Sequence, residues 1–233
     1  MTELFAKYFP NVVYQGWTGD GGWLPAIGQT LYMTFWSALF GGILGLIFGI
    51  GLVLTDEDGI TPNRNLFGFF DKVVSLFRAI PFIILLAFIA PVTNLIVGTQ
   101  IGTTAALVPL SLGVFPFYAR QVQVALKSVD QGIIEAAQSV GATFSDLVFD
   151  VYLREARAEL VRVTTVTLIS LIGLTAMAGA IGAGGLGNMA IAYGYNRFAN
   201  DTTFVATLLV LVLVLLVQLI GDVLAKIFNH KNS

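Results

Sequence analysis

The sequence contains no cysteine, one histidine (His230) and, for 233 residues, very little charge. Without cysteine there is no disulfide framework, no thiolate nucleophile and no thiolate metal site. His230 stands alone in a polar tail and has no second ligand beside it. No lysine follows a glycine, so the phosphate loop G-x-x-x-x-G-K-[ST] is missing and the chain has no ATP-hydrolysing loop of its own. Charged residues make up 11%, against about 25% in ordinary soluble domains, too few to coat a water-soluble globule. A net charge of −2 offers no basic surplus for nucleic acid. Residues 1–20 hold no basic stretch followed by a long apolar one, so no cleavable signal peptide is expected.

What is present is apolar: 56% of the chain is hydrophobic. A bilayer core about 30 Å thick takes about 20 apolar helical residues to cross. Five uncharged runs qualify, at residues 24–54, 79–97, 103–119, 163–181 and 202–221. Unpaired backbone in lipid costs several kcal/mol per group, so these runs are predicted to be helices. The expected fold is all-α, one transmembrane domain over 1–233 with five spans. Pro81, Pro91, Pro109 and Pro116 mark expected kinks. With the N-terminus outside and the C-terminus inside, ten of the twelve lysines and arginines fall inside, leaving only Lys7 and Arg197 outside. Arg78 and Arg120 then read as snorkelling anchors at inner helix ends.

The spacing Gly182, Gly184, Gly187 is G-x-G-x-x-G, with Asp201 nearly at ribose-binding distance. That fingerprint needs a strand before it, and here a membrane helix precedes it. Gly182, Gly184, Gly185 and Gly187 are expected instead to end the fourth span and turn the backbone at the membrane surface. Tyr193, Tyr195 and Phe198 suit the interface. In the first span Gly41, Gly45 and Gly49 form small-x-x-x-small steps, read first as packing within the chain. Met177 is one flexible side chain among the small ones of "TAMAGA", 175–180.

The longest polar interruption, Lys127 to Leu160, is predicted to be two short amphipathic helices joined at an elbow. Ser128 with Gln131 suggests a capping box, then Ile133, Ile134, Ala136, Ala137 and Val140 recur at helical spacing before Gly141 breaks the run. Thr143 with Asp146 suggests a second box, followed by Phe144, Leu147, Val148 and Val151. Such patterning points to a docking element for a soluble partner.

"EAAQSVG", Glu135 to Gly141, with Val151 and Leu153 beyond it, resembles the EAA loop of ATP-binding-cassette importer permeases. Arg154 stands where that pattern usually has proline, so the helix is free to continue there. "FRAIPFIILL", "VPLSLGVFPFYARQV" and "AMAGAIGAGGLG" with "YGY" are similar to the methionine-importer branch. The resemblance implies a multi-pass subunit of a prokaryotic cytoplasmic membrane, whose loop couples through Glu135, Ala136, Ala137, Gly141, Phe144 and Leu147 to a separate ATPase. It further implies a second copy of the chain, two ATPase subunits carrying ATP and Mg, a substrate-binding protein on the outer side, and no cofactor on this chain. Met177 becomes a candidate translocation gate. The implied cargo is methionine, L and also D; another small amino acid or a dipeptide is the alternative. An ion-driven carrier fits less well, since the five spans hold no Asp, Glu, Lys, Arg or His and no inverted repeat is evident. A membrane enzyme lacks paired carboxylates in any span.

Overall fold

The computed structural model describes residues 7–229; the readings placed on His230 and Lys231 lie outside them. Among the described residues the elements are helical. Three are long and apolar enough to cross a membrane: Trp23–Leu54, Arg157–Ala183 and Asn200–Phe228. The pair Arg64–Ala79 and Phe82–Val97 makes a fourth if its break at Ile80 and Pro81 is counted within one span. Pro81 lacks an N–H and sits immediately before the first helical turn, so the second helix starts at Phe82, later than the expected 79.

Thr103–Lys127 has the length, 25 residues, but falls short in hydropathy. Ala106, Leu110, Val114, Ala119, Val122 and Ala125 on it are buried within the chain. A helix wrapped by protein need not be apolar all round. The helices also overrun the uncharged stretches: the last begins at Asn200 and continues to Phe228.

The chain groups into two compact units, each drawn from three stretches, so neither is contiguous in sequence. The first comprises Met1–Phe40, Ile80–Gly113 and Leu168–Leu216. Its core holds Val12, Trp23, Ala26, Leu186, Met189 and Ala206. Asp201 clasps the short helix Pro10–Gln15, accepting from Asn11 N and Nδ2 at 2.8 Å each. Trp23 is fully buried and donates from Nε1 to Val12 O at 3.2 Å.

The second unit comprises Gly41–Ala79, Val114–Thr167 and Val217–Ser233. Here the glycine steps of the first span pack within the chain. A Cβ on Gly45 would lie 2.8 Å from Phe115 O, and one on Gly49 2.6 Å from Val122 Cβ, so only glycine allows this approach. Arg120 is no snorkelling anchor. It pairs with Asp71 and donates to Gln123 Oε1 at 2.7 Å and Ser75 Oγ at 3.2 Å. Among the described residues, all lysines and arginines except Lys7 and Arg197 belong to this second unit.

Candidate functional site

Helix Gln131–Ser139 opens the predicted hairpin. Its cap is Asp130, whose Oδ1 accepts from Gly132 N at 2.7 Å, and not Ser128. The preceding helix runs to Lys127, which leaves Ser128 Oγ donating back to Ala125 O at 2.7 Å. The helix stops at Val140, and Gly141 takes φ +84°, a left-handed conformation that side chains resist. Its N–H donates to Gln138 O at 3.0 Å and the Ala142 N–H to Ala137 O at 3.1 Å, closing the elbow.

The second arm starts where the sequence places it. Thr143 Oγ1 accepts from Asp146 N at 3.3 Å, and Asp146 Oδ2 accepts from Thr143 N at 2.8 Å, a reciprocal capping box. The Thr143 hydroxyl and then its N–H, both donating, hold the Asp146 carboxyl below its ordinary pKa. From Leu147 to Tyr152 the helix widens to π geometry. The wider turn brings Leu147, Val148 and Tyr152 inward together, so Tyr152 joins the core, against which Val151 also packs. Burial pushes the Tyr152 phenol above its usual pKa. Helical geometry persists through Arg154 to Glu155 and breaks only at Ala156, as expected for arginine in place of proline.

Ile134, Val148 and Tyr152 pack against Val53, Leu54, Val122 and Leu126, which fixes the hairpin's inner face. The outer face is apolar too, although no described residue covers it. Val140 is 87% exposed, Phe149 65% and Phe144 55%. Glu135 and Ala136 are also exposed and Ala137 half-exposed. Leu147 differs from the rest of the expected coupling set: it is buried, so it stiffens the hairpin from within. Phe149 was missed because ideal 3.6-residue periodicity places it off the Phe144 stripe. Where the hairpin returns, a cavity of about 390 Å³ is lined by Arg154, Arg157, Glu155 and Glu159, and Arg157 lies over the Phe228 ring at 5.7 Å.

The glycine segment of the first unit is a second reversal. After Ala178 the helix widens, Ile181 and Gly182 leave helical geometry, and Gly182, Gly184 and Gly185 all take positive φ. Gly187 does not; it is helical, and it is glycine because a Cβ there would collide with Ala176. The reversal starts exposed, at Ile181 and Gly182, and then turns into the chain. Gly185, Leu186 and Gly187 are buried, with Gly185 N donating to Gln29 Oε1 at 2.7 Å and Leu186 N to Thr30 Oγ1 at 2.8 Å. Backbone N–H groups freed by the turn are thus satisfied by side chains of the first long helix. Tyr195 and Phe198 remain strongly exposed, while Tyr193 lies under Arg197 at 4.5 Å.

Met177, at the end of helix Arg157–Ala178, is 40% exposed. It does not line the cavity beside the reversal, bounded by Thr93, Gly102, Pro109, Ala178 and Ile181 among others. That cavity measures about 20 Å³, room for one water and far below the roughly 300 Å³ of the smallest usual ligand pockets.

Residues 41–233 match the family described as the binding-protein-dependent transport system inner membrane component. The methionine import system permease protein MetP of Bacillus subtilis is 44% identical over 98% of this chain and 100% of its own length. A probable D-methionine transport system permease protein MetI, from Vibrio cholerae, is 43% identical over 89% of this chain and 92% of its own length. Among solved structures, a chain of the MetNI methionine ABC transporter in inward facing conformations superposes with a TM-score of 0.87 at 42% identity, covering 89% of this chain and 96% of that one.

Proposed function

Because the chain belongs to the family of inner membrane components of binding-protein-dependent transport systems, we propose that it is the permease subunit of an ATP-driven importer of methionine. It is a transport component and not an enzyme. The L form is the first cargo and the D form a second, since relatives named for D-methionine match over nearly nine-tenths of the chain. The observation that carries the coupling part of the reading is the hairpin. It is capped at both arms, anchored on an apolar inner face, and apolar on an outer face that no described residue covers.

In this reading the hairpin sits in a cleft of a separate ATPase, which brings ATP and Mg; the permease itself binds no cofactor. Glu135, Ala136, Ala137, Gly141 and Phe144 shape the seated surface, extended by Val140 and Phe149. Closure of two nucleotide-bound ATPase subunits moves two hairpins, one on each copy of the permease, and turns the pair from inward-facing to outward-facing. A second copy completes the route, because five helices are few to enclose a polar path and the cavity beside the reversal holds only a water. Met177, partly exposed on the single chain, is then a gate shared by two copies. A substrate-binding protein delivers methionine from outside and carries most of the selectivity, since the uncharged spans offer no counter-charge to the zwitterion.

The chain crosses the membrane five times, with Thr103–Lys127 as the third crossing. The N-terminus lies outside and the C-terminus inside. The gathering of nearly all lysines and arginines in the second unit, which carries the hairpin, supports that orientation.

The test is reconstitution with the ATPase and binding protein in liposomes. Methionine-stimulated ATP hydrolysis with ATP-dependent uptake is expected, and Gly141→Pro should abolish uptake while the protein still inserts. Proline fixes φ near −65°, whereas the elbow needs +84°. Full uptake by that variant removes the coupling role; no stimulation by methionine removes the substrate assignment.

A further inference from the structure

The first long helix ends at Leu54, and the loop after it is stiff. Thr55 Oγ1 donates to Gly51 O at 2.6 Å, Thr61 Oγ1 to Leu54 O at 3.0 Å, and Asn63 N to Thr55 O at 3.0 Å. Gly59 lies so close to the carbonyls of Val53 and Leu54 that no Cβ fits. From this loop Asp56 forms an ion pair with Lys127, the last residue of helix Thr103–Lys127. Gln131, the first residue of the hairpin helix, donates from Nε2 to Asp58 O at 3.4 Å. The Asp56 side chain is only 17% exposed, so this pair is screened less than a free surface pair.

Asp56, Asp58, Lys127, Gln131 and Tyr152 surround a cavity of about 150 Å³ between the loop and the hairpin. At roughly 30 Å³ per molecule it has room for a few waters. The loop and the hairpin are therefore not close-packed here, and the polar contacts at the cavity's rim limit how far they can separate. The hairpin's Ile134, Val148 and Tyr152 meet Val53 and Leu54 of the same helix end.

We infer that Asp56 and Lys127 are positioning residues that fasten the coupling hairpin to the end of the first long helix, so that hairpin movement drives that helix as well as the two helices continuous with it. The inference rests on the coupling role proposed above. Without the pair, the hairpin still seats in the ATPase but part of its displacement is lost in the cavity.

The test uses the complete permease–ATPase complex in liposomes with three variants: Asp56→Asn, Lys127→Met, and the exchange Asp56→Lys with Lys127→Asp. The single variants should assemble and hydrolyse ATP within about twofold of the parent, because the pair is partly exposed. Methionine moved per ATP should fall about fivefold, the scale at which such contacts modulate coupling between sites. The exchange should restore at least half of it. Because the chain has no cysteine, spin labels on cysteines introduced at Glu57 and Gln138 report on the brace alone. Their distance distribution should broaden in the single variants and narrow again in the exchange. Unchanged transport per ATP, an unrestored exchange, or failure of the single variants to assemble each overturns the inference. If Gly141→Pro transports normally, the coupling reading itself fails; if Gly141→Pro is inactive while the single variants transport normally, only the brace fails.

Discussion

The two helical reversals are built on opposite principles. The hairpin of residues 131–155 is made locally: Asp130 and the Thr143–Asp146 box cap its arms, and Gly141 alone supplies the left-handed elbow. The reversal at residues 179–194 is made by distant partners: Gln29 and Thr30 satisfy its turn, and Gly179 and Gly187 are glycine because backbone passes where a Cβ would sit. The first leaves Val140, Phe144 and Phe149 uncovered, while the second buries Leu186 and Met189. A reversal that carries its own caps keeps its shape while its outer face meets another protein. One that depends on its neighbours moves only when they do.

That contrast predicts unequal sensitivity to substitution. The largest effect should come from Gly179→Val, whose Cβ would stand 2.6 Å from Asn188 N and 2.7 Å from Gly184 O. Backbone cannot yield as a flexible side chain does, so a loss of about 3 kcal/mol is expected, seen as a lowered unfolding temperature in detergent and no uptake. Parental stability in this variant would show that the glycine packing is not needed. Next, Val140→Asp with Phe144→Asp should leave the unfolding temperature unchanged, because both side chains are exposed, yet weaken ATPase binding by about 30-fold, the scale of a lost hot spot. A drop in stability instead would mean that this face is covered within the chain.

Thr143→Ala is expected to cost about 1 kcal/mol, confined to the hairpin, and is measured by hydrogen exchange of residues 144–155. Equal loss of protection at residues 179–194 would erase the distinction between the two reversals. Acidification should do least. The Asp146 and Asp56 carboxyls are held below their ordinary value of 3.8, chiefly by hydrogen bonds from Thr143 and Lys127 respectively. Their stabilising contribution is complete above that value and is lost as pH falls through the lowered folded values. Hairpin protection corrected for intrinsic exchange should therefore stay flat from neutrality down to the ordinary carboxylate range.

The same contrast governs what could be read from sequence. The Thr143–Asp146 box, the Gly141 elbow and the continuation of helix through Arg154 were legible because each depends on residues within a few positions. Ser128 was read as a cap because the sequence does not mark where the preceding helix ends, and Asp130 took that place once it ran to Lys127. Phe149 and Tyr152 were missed because 3.6-residue periodicity does not foresee a π-helical turn. The glycine run was legible as a turn and illegible as a buried one, since its partners Gln29 and Thr30 lie more than 150 positions away. Asp56–Lys127 and Asp71–Arg120 are likewise pairings that one sequence does not announce. The uncharged runs marked helices reliably, yet Thr103–Lys127 shows that a helix enclosed by protein carries a weaker apolar signature than the three long helices apolar enough to cross a membrane.

The most direct measurement asks which side of the membrane the hairpin faces. The parent chain has no cysteine, so Gln138→Cys supplies a unique, exposed thiol on the first arm. A membrane-impermeant maleimide should leave it unlabelled in intact cells and label it after permeabilisation, with bound ATPase then protecting it. Labelling in intact cells would place the hairpin beyond reach of any cytosolic ATPase and contradict the coupling role.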